Sequence, residues 1–281
     1  MGQKVKKFNR LLFQWYVKNH RVLPWRKTRN PYRILVSEIM LQQTPVARVL
    51  PKYAEFLKKF PAIKTLASKT LGEVLRVWSG LGYNRRAKYI WECAQEICSK
   101  HRGIFPRERA VLQTLPGVGP STAAALEAFA FGRDEPMIDT NVRRVLCRVF
   151  FGGRAISDRA LRDFARTLIP QGRGKDWNWA VMDIGALLCG ARRHCLECPF
   201  GRLHGVVTPF QYKKPASRFC DSTRFYRGKV LASLASAGFR GREVSRLRRE
   251  TGLHRRRLSA ILSSLKKEQL VREKGEYVIL P

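Results

Sequence analysis

A short glycine-containing segment, Leu115 to Ala125 (LPGVGPSTAAA), constrains the fold of this 281-residue chain more than any other feature. Pro116 interrupts one helix, and Gly117 and Gly119 can adopt the positive φ values that a tight turn between two helices requires. The second helix then begins with unpaired backbone N–H groups, whose partial positive charge favours a phosphate. The segment predicts a helix–hairpin–helix that grips a nucleic-acid backbone without reading its sequence.

A lone aspartate, Asp139 in MIDTNVRRVL, lies twenty residues beyond Gly119. Because it is close to the hairpin in the chain, it could bring a carboxylate to the sugar whose phosphate the hairpin holds. The alternative is that Asp139 only caps the helix running through Val142 and Val149. The local sequence is compatible with both roles.

A second candidate carboxylate, Glu38, lies within the stretch NPYRILVSEIMLQQT. It falls among apolar residues at helical spacing rather than opposite them. We therefore expect Glu38 to be partly desolvated and to stay protonated at a higher pH than a surface glutamate, as a general acid requires. The alternative is a solvated glutamate at the edge of the apolar stripe. The residues of the stripe are Ile34, Leu35, Ile39 and Leu41.

The charge of the chain indicates a polyanionic partner. Lys and Arg number 55 against 21 Asp and Glu, which gives a formal net charge of +34. The basic residues are spread along the chain, so a folded body with a long electropositive surface is expected, as in DNA-binding enzymes. No apolar stretch long enough to span a membrane and no signal core is present, which predicts an intracellular, cytoplasmic protein that associates with the nucleoid through DNA.

The chain divides into two regions and a linker. Residues 1–205 show helical periodicity with Gly and Pro breaks, whereas 206–219 contain two prolines and no periodicity, as expected of a linker with few contacts across it. In residues 220–281 the order helix, helix, helix, hairpin is typical of a winged helix-turn-helix. Its third helix begins with Arg255, Arg256 and Arg257, which suits a DNA groove; the alternative is a protein–protein module.

Three cysteines within ten residues form the pattern C-x5-C-x2-C in the Cys-rich loop 189–204. In a reducing compartment such spacing indicates a metal or cluster rather than disulfides. The fourth ligand is open between His204 and Cys220. The remaining cysteines in apparent helices, Cys93, Cys98 and Cys147, are expected to be small core residues.

In this order, SEIMLQQT, GLGY, LPGVG, D-x-N-V-x-R-V and VMDIGALLC resemble the helix-hairpin-helix DNA glycosylases that share a fold with endonuclease III. The LPWR and PYR segments are most similar to the adenine-mismatch (MutY-type) branch. The resemblance covers residues from about 5 to 205. It implies an all-α, two-lobe fold and a protein that flips a base out of a mismatched or damaged DNA duplex. We expect the protein to act as a monomer.

The resemblance also implies roles for individual residues. Glu38 would protonate the departing base, and Asp139 would stabilise the sugar cation that forms as the N-glycosidic bond breaks. Gln42, with its polar neighbour Gln43, would fill the vacated base stack, and Tyr83 would wedge beside the opposite base. The residues that would line the base pocket are Trp25, Arg26, Ser121 and Asp183. Ser121 occupies the position at which lyases of this fold carry a lysine nucleophile.

The chain departs from the family pattern at points that bear on its activity. Ser121 replaces the lysine that serves as Schiff-base nucleophile in lyases of this fold, which predicts little or no strand cleavage. The first cysteine gap is one residue shorter than in the family, and His204 replaces the last cysteine. The set Cys189, Cys195, Cys198 and His204 could therefore hold a [4Fe–4S] cluster or a zinc ion, or be a remnant without metal.

Further departures concern the substrate. Residues 220–281 do not resemble the domain with which the adenine branch reads oxidised guanine. Asn84 and the DTN segment also differ from the residues that are usual in that branch. The first hypothesis is removal of adenine opposite G or 8-oxoguanine. The alternatives are a thymine or uracil glycosylase acting on T·G or U·G mismatches, and a catalytically silent DNA-binding regulatory protein.

Overall fold

The computed structural model of the protein describes residues 2–189, 197–203, 220 and 222–281. They form two compact units, each built from separate stretches of the chain. The first unit comprises Met1–Ile34, Arg107–Gln113 and Val118–Lys213, and the second comprises Leu35–Pro106, Thr114–Gly117 and Lys214–Pro281. The linker 206–219 lies outside the described residues. None of the described helices is both long and apolar enough to cross a membrane.

Helices account for most of the first 189 residues, in agreement with the predicted helical fold. They are α1 (Gly2–Asn19), a 3₁₀ turn (Pro24–Lys27), α2 (Pro31–Leu41), α3 (Val46–Lys59), α4 (Ile63–Ala67), α5 (Leu71–Trp78), α6 (Arg85–Lys100), α7 (Arg109–Leu112), α8 (Pro120–Ala125) with a π-helical extension (Leu126–Ala130), α9 (Thr140–Phe151), α10 (Asp158–Arg166) and α11 (Gly174–Leu187).

The core of the first unit forms where α9 packs on α11 and α1 adds its apolar side. Phe8 of α1 is fully buried and stacks on Phe200 with ring centroids 4.6 Å apart. The approach of α9 and α11 is close because Gly185 has no side chain: a Cβ there would lie 2.6 Å from the Cβ of Asn141. This packing fixes the start of α9, which carries Asp139.

In the second unit, α4 and α5 pack on α6. Trp78 is fully buried in an edge-to-face contact with Phe56 of α3, with ring centroids 6.0 Å apart. The α5 helix begins with a capping box in which Thr70 and Glu73 bond to each other's backbone N–H groups. These helices support the turn at residues 79–84.

The C-terminal residues have winged-helix topology. Three helices enclose a small core with a three-stranded antiparallel sheet of order β1–β3–β2. The elements are α12 (Thr223–Ser236), a 3₁₀ turn (Gly238–Arg240), β1 (Arg242–Glu243), α13 (Val244–Thr251), α14 (Arg255–Lys267), β2 (Arg272–Lys274) and β3 (Tyr277–Ile279). Strand β1 was not expected from the sequence, because its two residues are defined only by pairing with β3.

The C-terminal elements pack on helices of their own compact unit. Helix α12 lies against α5. The backbone N–H of Gly72 donates to the carbonyl of Pro281 at 2.5 Å, and Lys88 of α6 donates to the carbonyl of Glu268 at 3.2 Å. A Cβ on Gly72 would lie 2.4 Å from that Pro281 oxygen, so glycine is required for this approach. The expectation of few contacts across residues 206–219 is therefore wrong, because composition alone does not reveal tertiary packing.

Candidate active site and nucleic-acid interface

Asp139 is the N-cap of α9, with its backbone in the extended region. Its Oδ1 accepts the backbone N–H of Val142 at 2.7 Å, and its Oδ2 accepts the side-chain amide of Asn141 at 3.1 Å. The helix-capping role that the sequence analysis considered for Asp139 is therefore present. Capping also holds the carboxylate in one orientation, as a group acting on a reaction must be held.

Burial raises the pKa of the Asp139 carboxyl above its ordinary value. The hydrogen bonds from Val142 and Asn141 and the positive charge of Arg144 oppose this shift. Arg144 in turn donates to the Asn141 side-chain oxygen and to the carbonyl of Gly185, both at 2.7 Å. Asn141, Arg144 and Gly185 therefore position Asp139, a role that the sequence did not reveal because it depends on the packing of α9 on α11.

Ser121 lies next to the Asp139 segment in the first unit. Its hydroxyl donates to the carbonyl of Ile138, the residue before Asp139, at 3.0 Å. The structure thus brings together the side chain just after the hairpin and the chain just before the candidate carboxylate, as the motif order suggested.

The two glycines of the hairpin act differently. Gly117 adopts φ +77°, and a Cβ there would lie 2.9 Å from Tyr89 Cβ, so glycine is required at this position. Gly119 does not use a positive φ; it has φ −84° as the N-cap of α8, and a Cβ there would meet nothing within 4 Å. What Gly119 provides is uncovered backbone at a helix N-terminus, which a phosphate can approach closely.

Glu38 is buried in α2 with 9% of its surface exposed. The expected burial of Glu38 among apolar residues is therefore confirmed. The helix is covered on more than one side, since Val36, Ser37 and Met40 are buried with the predicted stripe. Leu41 is only half-buried, because α2 ends there. Glu38 belongs to the second compact unit and Asp139 to the first.

Gln42 and Gln43 are exposed immediately after α2, and Tyr83 is half-buried in the turn before α6. Gln43 has φ +54° and Tyr83 has φ +47°, in the left-handed region that non-glycine residues rarely adopt. Each such residue stores about 1–3 kcal/mol of strain and persists only where the surroundings enforce it. The two loops predicted to contact DNA thus each contain a strained residue.

Arg86 lies on α6 and holds the conformations of both loops through hydrogen bonds. Arg86 is 5% exposed, and its guanidinium donates to carbonyls of the last turn of α2, of Gln42 and of Gly82. It therefore caps the C-terminus of α2, which has no basic residue of its own there. The hydrogen bonds are to Ile39 O (2.9 Å), Met40 O (2.7 Å), Gln42 O (2.6 Å), Thr44 Oγ1 (3.0 Å), Leu81 O (3.4 Å), Gly82 O (3.0 Å) and Tyr83 O (3.4 Å).

Arg26 and Asp183, predicted to line a base pocket, form a bidentate ion pair with both distances 2.7 Å. Asp183 is fully buried and also accepts two hydrogen bonds from Arg21. Burial alone would raise the pKa of Asp183, but the hydrogen bonds and charges of these arginines lower it. Trp25 is buried in the same 3₁₀ turn as Arg26. The carboxylate of Asp183 therefore orients Arg26, whose guanidinium lies 5.3 Å from the ring of Trp179.

The Cys-rich loop is described only at its two sides. Cys189 and Cys198 both pack against the core of the first unit, where Phe200 anchors the returning chain. Arg148 donates to the Sγ of Cys189 at 3.0 Å. Cys195 and His204 lie outside the described residues. Among the described residues no cluster of three or more metal-binding side chains is present.

The arginines at the start of α14 are exposed, as expected for a groove-reading helix. Arg257 lies 4.4 Å from the ring of Tyr226. The apolar residues of α14, among them Leu258 and Leu262, face the small core. This arrangement leaves Arg255 and Arg256 on the outer side.

The chain is similar to known base excision repair proteins. The family model of HhH-GPD superfamily base excision DNA repair proteins matches residues 36–171. The adenine DNA glycosylase of Mycobacterium tuberculosis (strain ATCC 25618 / H37Rv) is 37% identical over 238 residues, covering 81% of this chain and 78% of the relative. The human adenine DNA glycosylase is 39% identical over 210 residues, covering 70% of this chain and 38% of the relative.

Solved structures show the same fold. A thermostable thymine-DNA glycosylase superposes with a TM-score of 0.68 and 33% identity, covering 72% of this chain and 96% of that chain. Endonuclease III in a non-covalent DNA complex gives a TM-score of 0.63 at 23% identity, covering 71% and 94%, a likeness of fold. The chain belongs to the HhH-GPD superfamily of base excision DNA repair proteins, within its adenine DNA glycosylase family.

Proposed function

We propose that this chain is a monofunctional DNA glycosylase that hydrolyses the N-glycosidic bond of adenine mispaired with G or 8-oxoguanine. The observation that carries the proposal is Asp139, a half-buried carboxylate held by two hydrogen bonds beside the hairpin helix. The adenine DNA glycosylases with which the chain shares 37–39% identity support adenine as the base removed.

The chemistry follows from the two carboxyl groups. Loss of a base from a sugar has an oxocarbenium-like transition state, which requires a proton on the leaving group and a negative charge near the cation. Glu38, buried in an apolar helix, supplies the proton. Asp139 in its ionised form stabilises the sugar cation, and two hydrogen bonds hold its charge in a fixed position. Water then completes the hydrolysis.

Ser121 makes the reaction end at an abasic site. A serine hydroxyl cannot form the Schiff base through which lysine cleaves the strand. Lysine introduced by Ser121→Lys would project from α8 beside the Asp139 segment and should create lyase activity that borohydride traps on DNA. Trapping of the unmodified protein with equal efficiency would contradict the monofunctional assignment.

The remaining predicted residues contact the DNA. The hairpin at Gly117 and Gly119 holds a phosphate, Gln42 and Gln43 fill the vacated stack, and Tyr83 contacts the opposite base. The exposed Arg255, Arg256 and Arg257 contact the backbone of the duplex. Arg26, oriented by Asp183 and neighbouring Trp25, lines the base pocket.

The Cys-rich loop fits a [4Fe–4S] cluster. The donor set of Cys189, Cys195, Cys198 and His204 is suitable for iron or zinc. The group would hold the loop against the core. About four irons and four sulfides per chain support the cluster, one zinc per chain supports a Cys₃His site, and a metal-free active protein would show a remnant.

A second candidate function is removal of thymine or uracil opposite G. It is favoured by the 33% identity to a thymine-DNA glycosylase whose length the chain covers almost entirely. The two functions differ in the need for Glu38, because a departing purine depends more on protonation than a departing pyrimidine.

The deciding experiment incubates the protein with duplexes containing A·G, A·8-oxoG, T·G and U·G pairs, then reveals abasic sites with hot alkali. Asp139→Asn should reduce base release by at least about 10²-fold, since it removes the charge but keeps the cap. Asp163→Asn, an exposed aspartate on α10 of the same unit, is the matched control and should be fully active. Adenine release abolished by Glu38→Gln supports the first function, whereas thymine release insensitive to Glu38→Gln supports the second.

Binding without base release from any duplex would make the chain a silent DNA-binding protein. Release that persists in Asp139→Asn would remove Asp139 from the reaction. Because Asp139 acts in its ionised form, the rate of base release by the unmodified protein should also fall in acid. The apparent pKa of this fall should lie above that of an ordinary aspartate.

A further inference from the structure

Helix α12 of the winged-helix region begins beside the loops that carry Gln43 and Tyr83, all within the second compact unit. Arg224 in the first turn of α12 bonds to the hydroxyl of Tyr83, and its guanidinium carbon lies 4.8 Å from the centre of that ring. The C-terminal region therefore reaches the loops predicted to contact DNA through α12, not through its arginine-rich α14.

Side chains from α12 and from these loops line one continuous surface. One groove of about 690 Å³ contains Gln43, Tyr83 and Asn84 on one side and Arg224 and Phe225 on the other. An adjoining groove of about 440 Å³ adds Gln42, Thr223 and Arg227. Amide groups, aromatic faces and a guanidinium fork are the groups that stack on a base and hydrogen-bond to its edge.

A base-flipping enzyme leaves one base without a partner, and that base loses its pairing hydrogen bonds. Tyr83, held at φ +47° and flanked by Arg86 and Arg224, offers an aromatic face in a fixed orientation. Arg224 offers several N–H donors from a planar fork, which matches the two acceptors O6 and N7 of guanine. The exposed position of Arg224 on α12 makes this fork accessible to DNA.

We propose that Arg224 is a specificity residue, through which the winged-helix region recognises the unpaired guanine opposite the excised base. The proposal rests on the proposed glycosylase function. It gives α12, rather than only α14, a direct part in substrate choice. Because 8-oxoguanine carries a proton on N7, the fork finds one acceptor fewer on that edge, and guanine is the better partner.

The test measures the affinity of the full chain for duplexes with an abasic-site analogue opposite G, 8-oxoG, C or T. Arg224→Ala should weaken binding opposite G by roughly 5- to 150-fold, the usual contribution of one bidentate arginine–guanine contact, and binding opposite C or T by far less. Arg224→Lys keeps the charge but not the fork and should not restore the preference for G. Tyr83→Phe, which keeps the ring, should retain it.

Arg249→Ala is the matched control, because Arg249 is an exposed arginine on α13 that lines neither groove. It should change affinity for all four duplexes by the same small factor. An equal loss on all four duplexes in Arg224→Ala, or no loss, would overturn the proposal and leave at most a phosphate contact. A loss larger opposite 8-oxoG than opposite G would overturn the preference for guanine.

These results separate the proposal from the function on which it rests. If the unmodified protein releases no adenine in the alkali assay, the glycosylase function fails, while the preference for an abasic analogue opposite G remains measurable. If adenine is released but Arg224→Ala keeps the full preference for G, the proposal fails and the function stands.

Discussion

Two buried arginines organise the two compact units in different ways. Arg26 in the first unit is paired with the carboxylate of Asp183, which neutralises it at a distance of 2.7 Å. Arg86 in the second unit donates to carbonyl groups and a threonine hydroxyl, and burial lowers the pKa of its guanidinium to about 10, so it stays charged at neutral pH. Arg26 therefore completes an ion pair, whereas Arg86 completes the hydrogen bonding of two loops.

The difference has a physical consequence. The stabilising free energy of an ion pair comes from two side chains, so loss of one partner leaves a buried charge without a counter-charge. The Arg86 network distributes its energy over backbone groups of three segments, so its loss changes loop conformation as well as stability. We therefore expect damage to the first to appear in unfolding, and damage to the second to appear also in DNA binding.

The largest effect should come from Asp183→Asn, which leaves Arg26 buried without a negative partner. The free energy of unfolding should fall by about 3–5 kcal/mol, measured by urea denaturation. The control is Asp176→Asn on the same helix, whose partly exposed pair with Arg173 should contribute less than about 0.5 kcal/mol. Equal effects of the two substitutions would contradict the importance of the buried pair.

The second prediction concerns Arg86→Lys, which keeps the charge but cannot reach all the acceptors. At least one buried carbonyl loses its donor, and such a loss costs about 1–3 kcal/mol. Gln43 and Tyr83 should then relax from positive φ, and affinity for abasic-site DNA should fall together with stability. Arg249→Lys, at an exposed position of α13 that lines neither groove, is the control and should change neither. Unchanged DNA affinity in Arg86→Lys would show that the two loops hold their conformation without it.

The sequence predicted those parts of the site that depend on local pattern. The burial of Glu38 followed from apolar neighbours at helical spacing, and the left-handed turn at Gly117 followed from the glycine itself. Arg86 could not be found in this way, since its acceptors at Ile39 and Met40 lie 47 and 46 residues away in the chain. The role of Asn141 also depends on a tertiary contact, the approach of Gly185.

The third prediction separates the two arginines by pH. The pKa of Asp183 is lowered in the folded protein, so its stabilising contribution is present above the ordinary aspartate pKa of about 3.9 and is lost as the pH falls through the lowered value. The difference in unfolding free energy between the unmodified protein and Asp183→Asn should therefore shrink between pH 5 and about pH 3. The corresponding difference for Arg86→Lys should stay constant, because no carboxylate takes part; a parallel decrease would refute the distinction.

The smallest effect tests a third arginine, Arg76 of α5, which has neither a carboxylate nor a set of carbonyls. Among the described residues, its Nε and Nη1 are buried without a hydrogen-bond acceptor, and its guanidinium carbon lies 4.1 Å from the ring of Phe239. Phe239 is itself 78% exposed, so Phe239→Ala removes the cation–π contact but admits water to the guanidinium. The unfolding free energy should therefore fall by only about 0.5–1 kcal/mol. Phe239→Leu keeps the cover without the π face and should destabilise more than alanine does. The reverse order would mean that Phe239 acts through its apolar area alone, and that Arg76 needs no partner beyond the carbonyl of Gly238.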